Sequence, residues 1–106
     1  DGYADGTPVF ATTRDYFDMV RMKIESRKEY PPQAREKQLQ GRVQVRFVIT
    51  ADGQISSLEI ANGSRHEILN RASLAAVREA APFPRPPANL FEGRLQAEIT
   101  IMFELM

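Results

Sequence analysis

Residues 41–60 have the sequence GRVQVRFVITADGQISSLEI, which contains the clearest strand pattern in the chain. Apolar and polar side chains alternate along its first half, and this predicts a strand with one buried face. Asp52-Gly53 follows, and because both residues tolerate a positive φ, the pair predicts a tight hairpin turn. The return strand contains Ile55 and Leu58, whose change of parity predicts a bulge or a late start to regular pairing.

Two further elements are predicted after this hairpin. Residues 68–80 carry an apolar stripe with many small residues, which predicts a helix that lies close to a sheet. Ser64 and Glu67 are spaced as a capping box at its start. Gly93 precedes a last strand, in which every second residue from Leu95 to Leu105 is apolar.

A first helix is predicted before the hairpin. Thr12 and Asp15 form a capping box. Apolar residues then follow at helical spacing: Phe17, Val20 and Ile24, with Tyr16 and Met19 flanking them. Tyr30-Pro31-Pro32 ends the helix, because proline cannot continue the hydrogen-bond ladder. We therefore predict a helix from about Arg14 to Glu29.

The order helix, strand, strand, helix, strand predicts an α+β fold, a two-layer sandwich in which two helices cover one face of a three-stranded antiparallel-type sheet. The last strand can pair beside the first or beside the second. A right-handed crossover favours the strand order 2-1-3, in which the longest strand is an open edge. We expect residues 1–12 to be a flexible lead-in and residues 13–106 to be a single domain.

Composition argues against several classes of protein. The 14 basic residues balance the 14 acidic ones, whereas nucleic-acid binders usually have a basic excess. The chain contains no cysteine, so disulfides, thiolate nucleophiles and cysteine zinc sites are excluded. No apolar run in the sequence approaches the length of about 20 residues that spans a bilayer.

The sequence offers little for catalysis. His66 is the only histidine, and it lies at a predicted helix start without a nucleophile pattern nearby. Asp15 and Asp18 are best explained as charges that stabilise a helix start. We expect no enzymatic activity, no metal site and no cofactor. Residues 82–87, with four prolines, favour a rigid connector in which Phe83 fills the core, or alternatively a ligand for an aromatic groove.

The predicted open edge is the remaining feature. Glu98 and Glu104 would guard its outer face only weakly. One interpretation is an edge protected by charge or covered by oligomerisation. The other is β-augmentation, in which a peptide adds a strand through backbone hydrogen bonds.

Several motifs together resemble the C-terminal domain of the TonB family. They are Tyr30-Pro31 with Ala34, Gly41-x-Val43-x-Val45-x-Phe47-x-Ile49, Asp52-Gly53-x-Ile55, Ala72 with Leu74 to Val77, Pro82-Phe83-Pro84, and Ile101-x-Phe103. The resemblance runs from about Phe17 to Leu105, nearly the whole predicted domain.

The resemblance implies a non-enzymatic role in energy transduction for active transport. Such a domain lies in the periplasm as part of an inner-membrane-anchored protein, is driven by a motor of ExbB/ExbD type, and binds the TonB box of outer-membrane receptors with its last strand. The implied receptor-contacting residues are Arg94, Leu95, Gln96, Ala97, Glu98, Ile99, Thr100, Tyr30 and Pro31.

Other interaction roles stay open from the sequence. The anchor and proline-rich spacer of the family are not in this sequence, so we expect an excised domain. A TolA-like envelope-linking module and a sensory domain attached to a membrane peptidase are the alternatives. An open edge also leaves a strand-swapped homodimer open.

Overall fold

The computed structural model describes residues 10–106 and places them in three helices and three strands. In chain order the elements are α1 (Thr13–Arg27), α2 (Pro32–Glu36), β1 (Gly41–Ile49), β2 (Ile55–Asn62), α3 (Glu67–Ala80) and β3 (Leu95–Phe103). The predicted order of elements is confirmed, with α2 as an additional short helix. No helix in this range has the length and apolar character needed to cross a bilayer.

The strands form one antiparallel sheet in the predicted order, β2-β1-β3. β1 and β3 pair in continuous register, with Gly41 opposite Phe103 and Ile49 opposite Leu95. Residues directly opposite each other in an antiparallel pair share a face of the sheet. The apolar residues of β1 and β3 therefore lie together on the face that the helices cover.

The covered face of the sheet forms one side of the core. Val43, Val45 and Phe47 of β1 are fully buried there. The Phe83 ring stacks on the Phe47 ring with centroids 6.2 Å apart, which confirms that Phe83 fills the core. Ala97 of β3 lies opposite Phe47 and is small enough to leave room for the two rings. Burial of each large apolar side chain stabilises the fold by about 1.5–3 kcal/mol.

The hairpin between β1 and β2 forms at the predicted turn. Gly53 has φ +89°, and its carbonyl accepts a hydrogen bond from the Phe83 N–H at 2.9 Å. The predicted irregularity of the return strand is also confirmed. The register shifts between Arg46 and Val48, where β2 has an extra residue, and Ser57 there has φ +56°.

α1 starts with the predicted capping box, in which the Asp15 N–H donates to the Thr12 hydroxyl at 3.1 Å. The helix begins one residue before the prediction and ends two residues before it. Tyr16 is fully buried and Phe17 is half-buried, the reverse of their predicted roles. The reason is that the Tyr16 hydroxyl donates to the Pro84 carbonyl at 2.6 Å, so the whole side chain can enter the core.

Residues 1–9 of the predicted lead-in lie outside the described residues. Phe10 packs edge-to-face on Tyr16, with ring centroids 5.1 Å apart. This contact of Phe10 lies before the capping box of α1. The boundary at residue 12 stays a prediction.

Two helix starts differ from the predictions. Pro32 begins α2 instead of only ending α1, because proline is well suited to the first helical position. The predicted capping box of Ser64 and Glu67 is wrong, since α3 begins at Glu67 after His66. The Ser64 N–H donates to the Asn70 side chain at 2.8 Å, and the Ser64 hydroxyl accepts from the His66 N–H, so Ser64 closes a loop before the helix.

Candidate functional site: the open edge of β3

β3 lies at one edge of the sheet and, among the described residues, pairs with β1 alone. Its nine residues extend over about 30 Å. Side chains alternate without interruption between buried and exposed. The buried ones are Leu95, Ala97, Ile99, Ile101 and Phe103. Those side chains are committed to the core, so β3 offers a partner its backbone groups and its exposed side chains.

Two hydrogen bonds near the end of β3 show which backbone groups point outward. The Met102 carbonyl accepts a hydrogen bond from the Lys28 ammonium at 2.7 Å, on the side away from β1. The Leu105 N–H donates to the side chain of Gln40, which directly precedes β1. Backbone groups of successive residues point to opposite sides of a strand. The residues that share the outward direction of Met102 are Gln96, Glu98 and Thr100. We call the N–H and C=O groups of these four residues the open edge.

Glu98 does not guard the open edge with a free carboxylate. It accepts hydrogen bonds from Arg46 at 2.9 Å and from Gln44 at 3.0 Å, both across the exposed face of the sheet. Arg46 also contacts Glu59 of β2 at 3.0 Å. The hydrogen bond to Glu98, followed by that to Glu59, raises the pKa of Arg46 above its usual value. The carboxylate is therefore turned toward β1, and the edge beside it stays accessible to a backbone partner.

The second half of α1 forms a groove with the end of the open edge at Thr100 and Met102. The groove has a volume of about 260 Å³ and is lined by Arg21, Glu25, Thr100 and Met102. Lys28, at the end of α1, places its ammonium on Met102 and within 3.1 Å of the Glu25 carboxylate. A strand added to β3 would reach this groove at Thr100, where charged side chains of α1 would face it.

The predicted residues Tyr30 and Pro31 lie at the end of β3 far from Arg94. The Tyr30 ring packs edge-to-face on Phe103 with centroids 5.4 Å apart, and its hydroxyl donates to the Leu39 carbonyl. Arg94 precedes the first residue of β3 and is exposed. The predicted contact residues thus extend along the whole of β3, with Tyr30 and Pro31 at one end of the strand and Arg94 at the other.

Sequence reasoning missed the α1 residues of this site. Lys28 is the C-cap residue of α1 and belongs to none of the sequence motifs described above. Its contact with Met102 joins residues 74 positions apart in the chain. A second cleft, of about 420 Å³, was also missed. It is lined by Gln40, Gly41, Arg42, Met102, Phe103, Glu104 and Leu105.

The other candidate residues have structural positions. His66 precedes α3 and makes no capping bond with its side chain. Asp15 caps α1. The Thr50 hydroxyl donates to Asp52 in the hairpin turn and lowers the pKa of that carboxyl. Within residues 10–106, no group of three or more histidine or acidic side chains could hold a metal ion.

Comparison with known proteins agrees with this fold. Residues 26–105 match the family model described as Gram-negative bacterial TonB protein C-terminal. The chain is similar to Protein TonB of Pseudomonas putida, with 37% identity over 79 residues, which are 74% of this chain and 32% of that protein. The chain thus spans about a third of the length of the curated relatives it matches.

Two solved structures have a similar fold. The NMR solution structure of the Helicobacter pylori TonB C-terminal domain is similar with a TM-score of 0.78 and 29% identity, over 91% of this chain and 86% of that one. TolAIII bound to a peptide from the N-terminus of TolB has a TM-score of 0.70 over 99% of this chain and 85% of that one, and at 23% identity it shows the fold alone. Because the family match covers most of the chain, this protein belongs to the TonB C-terminal domain family.

Proposed function

We propose that this domain is the receptor-binding part of a periplasmic energy transducer and that it binds outer-membrane receptors by adding one of their extended segments, the TonB box, to β3. Its family membership supports the class of partner. The open edge is the main support for the proposed mechanism. An incoming strand needs outward backbone groups to pair with and space beside them, and β3 offers both.

The proposed binding is a loose and reversible one. Gln96, Glu98 and Thr100 each offer an outward donor and acceptor, which gives about six backbone hydrogen bonds. At a net of roughly 0.5–1.5 kcal/mol each, these contribute about 3–9 kcal/mol. Association costs about 4–15 kcal/mol, so side-chain contacts in the α1 groove have to contribute as well. We expect affinity in the micromolar range, a net of about 8 kcal/mol, with the side-chain contacts supplying what the backbone bonds do not.

The wider role follows from the same proposal. The domain would transmit force to a receptor during active uptake, driven through an inner-membrane anchor by a motor of ExbB/ExbD type. Arg94, Tyr30 and Pro31 would contact the receptor at the two ends of β3. The backbone groups of Leu95, Ala97 and Ile99 face β1, and these residues would hold the strand extended between the outward groups that the receptor segment pairs with. This role is binding and mechanical coupling, and it needs no catalytic group or cofactor.

An NMR titration with N-terminal peptides of the source organism's outer-membrane receptors tests the proposal. We expect amide shifts concentrated on residues 94–105. Glu98→Pro removes one outward N–H and should weaken binding at least tenfold, since proline cannot donate. Glu98→Ala is the matched control, because it removes the same carboxylate but keeps the amide. Equal affinity of the two variants, both shown to be folded, would rule out strand addition at this position.

The TolA-like role is the second candidate, favoured by the fold shared with TolAIII. In that role the same edge would bind a segment of an envelope protein, not of a transport receptor. Titration with N-terminal peptides of the organism's periplasmic envelope proteins separates the two. Binding of those peptides, with no response to any receptor peptide, would replace the first proposal by the second.

A further inference from the structure

We propose that Lys28 closes one end of the open edge and thereby sets the register of the strand that adds to it. The inference rests on the proposed strand addition and identifies a specificity-determining residue for it. Its basis is the set of contacts made by one ammonium group.

Three partners hold the Lys28 ammonium in place. It donates to the Met102 carbonyl at 2.7 Å, lies 3.1 Å from the Glu25 carboxylate, and lies 5.6 Å from the centroid of the Phe103 ring. Charge-assisted hydrogen bonds are the strong ones, and the ring adds attraction for the cation. The side chain is only 24% exposed, low for a lysine, so the ammonium is a fixed part of the edge.

The backbone on both sides of Lys28 is also anchored. Ile24 is fully buried in the core one turn earlier. Lys28 ends α1 with its own N–H donating to the Glu25 carbonyl, and Tyr30 packs on Phe103 two residues later. The base of the lysine side chain is therefore held next to the end of β3, and the ammonium has little freedom to leave Met102.

This arrangement limits the length of pairing. A strand that pairs with Met102 has to displace the ammonium from the carbonyl and from Glu25. Lysine at a strand edge is a recognised means of blocking further pairing. The outward groups of Gln96, Glu98 and Thr100 remain available, so a partner segment pairs over about five residues. The partner residue that faces Met102 needs no backbone N–H, and a proline is accepted there.

Lys23, which lies within α1, provides a matched control. The Lys23 ammonium donates to the Pro82 carbonyl at 3.2 Å and lies 5.9 Å from the centroid of the Phe83 ring. Lys23→Met therefore removes a lysine that makes two of the three kinds of contact that Lys28 makes, to a backbone carbonyl and to an aromatic ring, but at a site away from the open edge.

The experiment measures affinity against peptide length. The probe is a labelled six-residue peptide from the N-terminal segment of a receptor of the source organism, with versions extended by two residues at either end. Each is titrated into the unchanged domain, Lys28→Met, Lys28→Ala and Lys23→Met, with amide spectra confirming that each variant is folded. Two variants of Lys28 are used so that a folding defect in one does not decide the outcome.

We expect extension to change the affinity of the unchanged domain and of Lys23→Met by less than about twofold. In the Lys28 variants, extension at one end should tighten binding about five- to tenfold, through the hydrogen bonds of Met102. If extension of the peptide increased affinity equally in the unchanged domain and in all variants, and the short peptide still bound, the role of Lys28 would be overturned and the proposed function would stand. No binding of any peptide to any variant would overturn both.

Discussion

We predict that Gly53→Ala destabilises the domain far more than the replacement of an ordinary turn glycine by alanine does. Gly53 has φ +89°, and a Cβ added there would lie 2.1 Å from the Phe83 carbonyl oxygen. Positive φ costs a non-glycine residue about 1–2 kcal/mol. Relieving the clash requires a backbone shift of about 1 Å, which breaks the hydrogen bond between these two residues, about 1 kcal/mol, and loosens the Phe83 ring in the core.

The sum of these effects is about 3–5 kcal/mol, a large part of the roughly 5–15 kcal/mol by which a domain is stable. Gly93→Ala is the matched control, because Gly93 has φ +79° but nothing within 4 Å of an added Cβ. It should cost about 0.5–1.5 kcal/mol, since reduced freedom of the unfolded chain offsets part of the strain. The assay is urea unfolding followed by circular dichroism. Equal losses for the two variants would refute the claim that Phe83 packs against this turn.

Three further predictions concern tyrosines and a helix cap. Desolvation raises the pKa of the Tyr16 hydroxyl to about 12. The unfolded chain loses this proton first, near pH 10, so the free energy of unfolding should fall between about pH 10 and 12. Tyr16→Phe should reduce that fall when unfolding is measured against pH. Tyr30→Phe should lower the unfolding free energy by about 1 kcal/mol, because the hydrogen bond of the hydroxyl is lost. It should change peptide affinity less than about twofold, because the ring contact with Phe103 remains. A tenfold loss of peptide affinity would instead place the hydroxyl in the receptor contact. Thr12→Ala should cost about 1 kcal/mol in urea unfolding by removing the cap of α1, and an unchanged midpoint would contradict that capping role.

The sheet was predictable because its signals are local. Alternation along β1 and β3 fixes which residues are buried, and Asp52-Gly53 fixes the turn between β1 and β2. Either pairing of the last strand that the crossover allows puts this strand at an edge, and the favoured order 2-1-3 is the one observed. The edge position of β3 was thus a consequence of topology.

The details that failed depend on specific side-chain contacts, two of which join residues far apart in the chain. Tyr16 is buried because its hydroxyl meets the Pro84 carbonyl, and Ser64 misses the cap of α3 because Asn70 takes its N–H. Lys28 was not among the predicted site residues, although its ammonium lies on the edge of β3. Such pairings have no periodicity in the sequence, so they become visible only when the fold brings them together.

Amide hydrogen exchange of β3, with and without a receptor peptide, tests strand addition most directly. The N–H groups of Gln96, Glu98 and Thr100 point outward, whereas those of Ala97 and Ile99 already bond to β1. Peptide binding should slow exchange at the first three residues and leave the other two unchanged. Affinity without this alternating protection would contradict strand addition and place the receptor contact on another surface of the domain.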